Sequence, residues 1–457
     1  MPRLLPRMLA LALAGAALTA AAAPLHAEGF GDPKQGEHLF FEHSFGANAA
    51  SVPIKVFEAM QDLFPRFSNP ALTSNYGLLF REGRPLPIGF VSTPAMGVDR
   101  LSFNCSLCHT GQIDGKLIPG LPNVNLRMQR FQEDMIASIE SPRFTSDAVL
   151  ARIQARHPDL SWTEALQIRL WIAGAKWQAP GQKPLPYRAG PGRFDLMGAF
   201  KQRLGLPMHH FNAFMDIPAL FGARDLKRYP RDGAIGGNQD LVRYLIVRIS
   251  GDNAPLQHGE VPQWVHDLNS YLFSLDPPRY PYPIDRAKAE AGHQVFNQNC
   301  SMCHGTYGLF DEHHPNLIVP IGVVGTDPNR IKIWDAASIA YMKRDPILKQ
   351  LDLKPGVGFL PPSLRGVWAT APYLHNGSVP TIYDVLSDPS TRPKRFWRGG
   401  FHFDPVHVGL STVDKPADAS QFLYDTSISG NGNQGHPFGE PLTETQRMEV
   451  IEYLKTI

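Results

Sequence analysis

Apolar and polar positions along this chain fall into a few strongly periodic stretches separated by long irregular ones. In DRAKAEAGHQVFNQN, residues 285–299, Ala287, Ala291 and Val295 recur every fourth position, which predicts a helix. The sequence ends LTETQRMEVIEYLKTI, where Thr443 stands three residues ahead of Gln446. That is a capping-box pattern, and it predicts an amphipathic helix behind it. VPQWVHDLNSYLFSL, residues 261–275, reads as a closing helix of the same kind, its Tyr271-Leu272 echoing Tyr453-Leu454. Further helices are predicted in PKQGEHLFFEH, residues 33–43, and SWTEALQIRLWIAGAKW, residues 161–177. Between the helical blocks DPPRYPYP, residues 276–283, is too rich in proline to be helical and reads as a linker.

The first apolar run has another meaning. Arg3 and Arg7 precede an Ala/Leu-rich segment from Met8 to Ala23 that closes on Leu25-His26-Ala27. A membrane span needs about 20 apolar residues, so residues 1–27 read as an export signal and the protein as periplasmic or secreted. No later segment is apolar for long enough to span. Removing residues 1–27 takes away two arginines and no acids, so the formal charge of +2 falls to zero. Nucleic acid is therefore not an expected partner. With 42 prolines and 40 glycines, much of the remaining chain is expected to be loop wrapped over a core.

An exported chain with four cysteines would ordinarily form two disulfides. Here all four lie in two C-x-x-C-H units, Cys105, Cys108 and His109, then Cys300, Cys303 and His304. Cysteines three apart share one face of a helical turn, so both thiols reach the two vinyl groups of one haem while the next histidine reaches its iron. A zinc site built from both pairs would have to join units 195 residues apart, each with its own histidine. A thioredoxin-like pair would want a βαβ context that is missing. Two covalently bound haem c groups are the expected cofactors.

The second axial position decides the chemistry, because an iron with two protein ligands suits electron transfer and one with a single histidine can bind oxygen or peroxide. After Cys303 the methionines are Met342 and Met448, the latter inside the closing helix. The histidines are His313, His314, His375, His402, His407 and His436. His375 lies in a segment with an Asn376-Gly377 turn, and His436 in SGNGNQGHPFG, a loop with the freedom to fold over a haem face. For the first haem the candidates are Met96, Met128, Met135, His209 and His210, and spacing does not choose among them.

The expected architecture is mainly α: two cytochrome c-like haem domains with extended loops. The N-terminal domain covers residues 28–275 and is enlarged by insertions; after the linker at 276–283 the C-terminal domain covers residues 284–457. The insertions on both sides of Cys105 exceed what a plain electron carrier needs. LPMHHFNAFMDIPALFG, residues 206–222, is rich in Phe211, Phe214 and Phe221, which would make an apolar wall if the segment faces the first haem, with core packing as the plainer alternative. His209 and His210 in the same stretch would supply an acid or base.

Several blocks resemble the diheme c-type oxygenases typified by secreted rubber oxygenases, with related diheme fatty-acid dioxygenases. They are EHLFFEHSFGANAASVPIKVFEAMQDLFP, LPIGF, LSFNCSLCHTGQIDGK, APYLHNGSVPTIYDVL, RPKRFWRGGFHFDPVHVGL and GNGNQGHPFG. More distantly the pattern is similar to bacterial diheme cytochrome c peroxidases. The resemblance implies a C-terminal haem held by His304 and His436, with His375 nearby as the alternative. It implies an N-terminal haem held by His109 alone, where oxygen binds. A calcium ion between the domains, as in related peroxidases, is a further cofactor the resemblance allows. The family's H-W-D-G segment stands here as YPRDG, without its histidine and tryptophan, so the substrate does not transfer. The implied protein is an exported haem-dependent oxidoreductase acting on oxygen or peroxide, with a redox partner and an apolar organic substrate. An electron-transfer cytochrome serving a dehydrogenase and a diheme peroxidase are the alternatives.

Overall fold

The structure is a computed structural model that describes residues 31–44, 51–181, 187–195, 198, 201, 206, 208–237, 239–240, 242, 261–308, 312–344, 348–400, 402–411 and 421–457. The expected export signal lies outside these residues.

Each patterned block forms the helix its sequence predicts, with a local reason for its start. Pro33–Glu42 is capped by the Asp32 carboxylate, which accepts from Lys34 N at 2.9 Å. Trp162–Gln178 opens on Ser161, and Arg286–Asn299 on Asp285, whose carboxylate accepts from the amides of Ala287 and Lys288. Glu444–Leu454 carries the full capping box, with the Thr443 and Gln446 side chains each bonding the other's backbone. Caps of this kind satisfy amides that the first helical turn leaves without partners.

These helices pair by one repeated device. Pro33–Glu42 crosses Gln263–Ser274 at Gly36, where a Cβ would collide with the backbone of Asp267. Arg286–Asn299 crosses Glu444–Leu454 at Gly292, where a Cβ would collide with the backbone of Glu449. Glycine costs a helix interior roughly 1 kcal/mol against alanine, so its presence at both crossings marks closest approach. Behind the first crossing Phe40, Phe41, Ile88, Leu268, Tyr271 and Leu272 form a buried cluster against which Cys105 packs. Behind the second, Phe296, Trp368, Val450, Ile451, Tyr453 and Leu454 belong to the cluster against which Cys300 packs.

The inserted material builds its own core. Ile54–Leu63, Met128–Glu140, Ser146–Arg156 and Trp162–Gln178 surround Phe57, Met60, Phe67, Phe131 and Ile168. Short antiparallel ribbons complete the architecture, among them Phe90–Ala95 with Val98–Phe103 and Arg395–Arg398 with Phe422–Asp425. Residues on either side of the proline-rich stretch also share structure. Ile235–Gly236 pairs with Asp352–Leu353, and Ala213, Ile235 and Val265 share a buried cluster with Trp334, Met342 and Leu353.

Gly292→Ala should cost about 1–3 kcal/mol by forcing the helices apart, and Thr443→Ala about 1 kcal/mol by removing a cap. Urea unfolding followed by circular dichroism measures both; an unchanged midpoint for Gly292→Ala would show that the crossing tolerates a methyl group.

Candidate functional site

Both C-x-x-C-H units fold into the same turn. His109 N donates to Cys105 O and His304 N to Cys300 O, each at 3.0 Å. At the first, Asn104 locks the entry by accepting from Ser106 N at 3.1 Å while donating to Phe41 O at 2.9 Å. None of the four cysteines is in a disulfide. Burial pushes the Cys108 thiol up to about 12 and Cys300 to about 11, so both remain protonated thiols in the chain itself.

The two histidines are oriented alike. His109 Nδ1 lies 3.0 Å from Pro218 O, and His304 Nδ1 lies 3.2 Å from Pro362 O. A carbonyl only accepts, so Nδ1 must carry the proton in both rings, and Nε2 keeps its lone pair wherever the ring is neutral. This is how a protein prepares a histidine for a metal. For His304 burial also lowers the pKa to about 4, which keeps the ring neutral.

Across from His304 stands His436, with ring centroids 6.1 Å apart. An iron bonded to one nitrogen of each ring at about 2 Å sets the ring centres about 6 Å apart, so the pair fits a haem iron between them. His436 Nδ1 is buried without a hydrogen-bond partner among the described residues. Burial, reinforced by His304 and Arg392, lowers its pKa to about 3.

The loop that presents His436 is not slack. His436 sits in the left-handed region at φ +61°, its amide bonded to Val324 O at 2.7 Å. Arg392, 3% exposed, donates through Nη1 to the carbonyls of Asn433 and Gly435, through Nη2 to those of His436, Val385 and Ser387, and through Nε to that of Asp384. Asn376 Nδ2 holds Gly430 O and Gly432 O, and Asp327 accepts from Gly430 N at 2.8 Å. Gly435 has no room for a Cβ against Thr326. The glycines and asparagines that suggested flexibility instead allow close backbone contact and supply side-chain staples.

His375 is placed beside this loop. Its ring packs on Phe359 at 4.3 Å and Nδ1 lies 3.3 Å from Thr326 Oγ1. Met342 is buried beside Trp334, and Met448 packs against the cluster of the closing helix.

Around His109 the segment 206–222 behaves differently from a distal wall. Its Pro218 bonds Nδ1, which puts that part on the proximal side of the ring. Phe221 packs against Gly120, Phe214 lies near Arg193, and Phe211 joins the shared cluster, so the three phenylalanines go to three places. His209 is held 2.9 Å from Asp195 Oδ2, its ring against Phe211. His210 is exposed, with its carbonyl accepting from Tyr187 Oη. Met96 is an exposed hairpin tip, and Met128 and Met135 are core. Sequence reading missed the two proline carbonyls, which leave no side-chain signal. It also missed Arg392, although an arginine in a chain with 19% charged residues was a visible candidate.

Among the described residues no group of three or more His, Cys, Asp or Glu is arranged to hold a metal ion. Residues 358–398 match the RoxA-like, cytochrome c-like family. They contain Pro362, His375, Arg392 and Arg398, so the match falls on the supports of the His304 and His436 rings. Over 72 residues the chain is 36% identical to the cbb3-type cytochrome c oxidase subunit CcoP of Rhodobacter capsulatus, covering 15% of this chain and 23% of that protein. The two matches support a c-type cytochrome. The chain is also similar to two uncharacterized proteins of Sinorhizobium fredii. It is 27% identical to y4iM over 329 residues, 62% of this chain and 73% of that one. It is 29% identical to y4iJ over 250 residues, 40% of this chain and 41% of that one. Among the described residues no helix is long and apolar enough to cross a membrane.

Two predictions follow from the loop and its neighbour. Arg392→Ala strands buried carbonyls and should cost about 3 kcal/mol or more in denaturant unfolding. Burial, then the charges of Arg330, Arg193 and Arg231, lowers the His375 pKa to about 3 against an ordinary 6.5. The folded state therefore binds fewer protons than the unfolded one between those values. The stability from neutral His375 is full above about pH 6.5 and is lost as pH falls toward 3. His375→Phe should flatten that acid slope in urea unfolding, and an equal slope in both proteins would remove His375 as its source.

Proposed function

We propose that the chain is an exported diheme c-type oxidoreductase of the rubber oxygenase and diheme fatty-acid dioxygenase branch. It is built from cytochrome c-like domains at residues 28–275 and 284–457. One observation carries this reading. His436 faces His304 at the spacing of a doubly ligated iron, so the C-terminal site has no position left for a substrate. In a two-haem protein whose second iron is closed, reaction with oxygen or peroxide falls to the haem on His109.

Haem attached at each unit would supply one-electron chemistry and, where an axial position is open, a site for oxygen or peroxide. Cys105 and Cys108 anchor one haem, Cys300 and Cys303 the other. Pro218 and Pro362 hold the Nδ1 protons of His109 and His304, so that both rings offer Nε2. Arg392 holds His436 in place and thereby keeps the C-terminal site for electrons, exchanged with a redox partner protein. Sequence resemblance points to an apolar organic substrate.

A second reading, an electron-transfer cytochrome with two closed haems, is favoured by the match to an oxidase subunit. Low-temperature electron paramagnetic resonance separates the two. The oxidoreductase should give one high-spin and one low-spin haem, with the high-spin signal responding to cyanide. Two low-spin haems indifferent to cyanide and carbon monoxide would leave the carrier. His436→Ala should convert the C-terminal haem to high spin, and an unchanged spectrum would return the ligand to His375.

A further inference from the structure

The helix Trp162–Gln178 is apolar on two opposite faces. Ile168, Trp171 and Ile172 are buried on one of them, in the inserted core against which Cys108 also packs. On the other, Trp162, Leu166, Leu170 and Trp177 are 77%, 46%, 64% and 82% exposed. At 3.6 residues per turn these four lie within an arc of about 80°, and the two tryptophans stand about 22 Å apart along the axis. They form one continuous stripe. Single apolar residues on a surface need no explanation, but a contiguous patch does, and a helix apolar all round belongs in an interior.

Two neighbouring features mark the same face. The tip of the hairpin formed by Phe90–Ala95 and Val98–Phe103 abuts the helix, since a Cβ on Gly97 would collide with the Gln167 side chain. Met96, 65% exposed, therefore stands beside the stripe. Gly174 lies inside the helix next to the exposed Ala173. At Gly36 and Gly292 a helical glycine marks the close crossing of a second helix, whereas a Cβ on Gly174 would meet nothing within 4 Å. Among the described residues no helix crosses there.

The stripe is complementary to itself. Trp162 and Trp177 are equidistant in sequence from a point midway between Arg169 and Leu170, and so are Leu166 and Ala173. A two-fold axis through that point would run two copies of the helix antiparallel, with Trp162 over the partner's Trp177 and Leu166 over the partner's Ala173. The charges favour the same occupant. Glu164 is paired with Lys55 at 2.8 Å and Arg169 with Asp147 at 2.9 Å, which leaves Lys176 as the one charge the helix could offer a lipid headgroup. Helices that lie on lipid carry several such charges. The area also suffices. With about 150–250 Å² per aromatic side chain and about 60–120 Å² per leucine, the four exposed side chains present about 300–500 Å². Apolar atoms make up about 60% of a specific interface, so two copies would bury about 1,000–1,600 Å² in all, the size of a stable contact.

We infer that this face is the contact between two copies of the chain, joined antiparallel through Trp162–Gln178 about a two-fold axis beside Leu170. Each helix turns its other face to the core that Cys108 joins, so the two copies' first C-x-x-C-H units stand behind one shared pair of helices.

The test is sedimentation equilibrium of the full haem-loaded protein across a micromolar range of concentration, where a dimer is expected. Leu170→Glu sets two carboxylates against each other at the axis and should give a monomer, as should Leu170→Lys. An equimolar mixture of the two should restore the dimer, because only a surface that meets its own copy brings position 170 against itself. A wild-type protein that stays monomeric overturns the inference, and so does a Leu170→Glu protein that still dimerises. A monomeric wild type that sediments with phosphatidylcholine vesicles assigns the face to lipid and overturns it too. If either charged variant does not fold, Trp177→Gln is read instead. It removes two rings from the contact and should raise the dissociation constant at least about tenfold, an unchanged constant overturning the proposal. None of these outcomes depends on the spin state or ligands of the irons, so the reading of the haem sites stands or falls separately.

Discussion

Two neutral imidazoles held close together, tilted 53° to one another, are the constraint around which the C-terminal half is arranged. His304 and His436 are kept uncharged by burial, and their ring centroids stand 6.1 Å apart. Nothing in that geometry holds itself together. A buried polar nitrogen without a partner is destabilising, so each ring must be imposed by its surroundings. His304 is imposed by a rigid turn and a proline carbonyl. His436 is imposed by an unfavourable left-handed backbone angle that Arg392, Asn376 and Asp327 enforce through the neighbouring carbonyls and amides. Strain of this sort persists only where the surrounding bonds over-determine it.

The same logic explains why so much charge is buried in a chain with few charges. Arg193, Arg330 and Arg398 are among its largest fully buried side chains. Arginine presents several donors in a fixed plane, and here some of those donors end on backbone carbonyls of loops that lack regular structure. Arg193 holds Ala189 O and Phe214 O, and Arg398 holds Gly377 O. Loops rich in proline and glycine leave many carbonyls unpaired, and buried guanidiniums satisfy them in groups. The loops become as fixed as the helices they connect.

How far the sequence reveals this follows from which interactions are local. Helix positions, the capping box at Thr443 and the turns of the two C-x-x-C-H units depend on residues a few places apart, and each is legible. The choice of His436 over His375 was not readable from spacing and entered only through resemblance, because it depends on Arg392 meeting a loop some forty residues away. For Phe211, Phe214 and Phe221 core packing was the plainer reading, and the structure sends the three rings to separate places for a related reason. Without regular periodicity a cluster in sequence carries no information about a shared face, and the chain turns between them. The proline carbonyls behind His109 and His304 were beyond reach, since any residue offers a carbonyl.

The two candidate sites are joined by an unexpectedly short path. Pro218 holds His109, and two residues earlier Asp216 donates its amide to His375 O at 2.9 Å and takes Arg398 on its carboxylate. Between them Ile217 N is fixed to Gly192 O at 2.9 Å. Three consecutive residues thus touch the support of one histidine and the supports of the other site. A strip so short and so fully bonded has little freedom to move one end without the other. The sites are therefore parts of one framework, and the proline-rich stretch that divides the sequence does not divide the machinery.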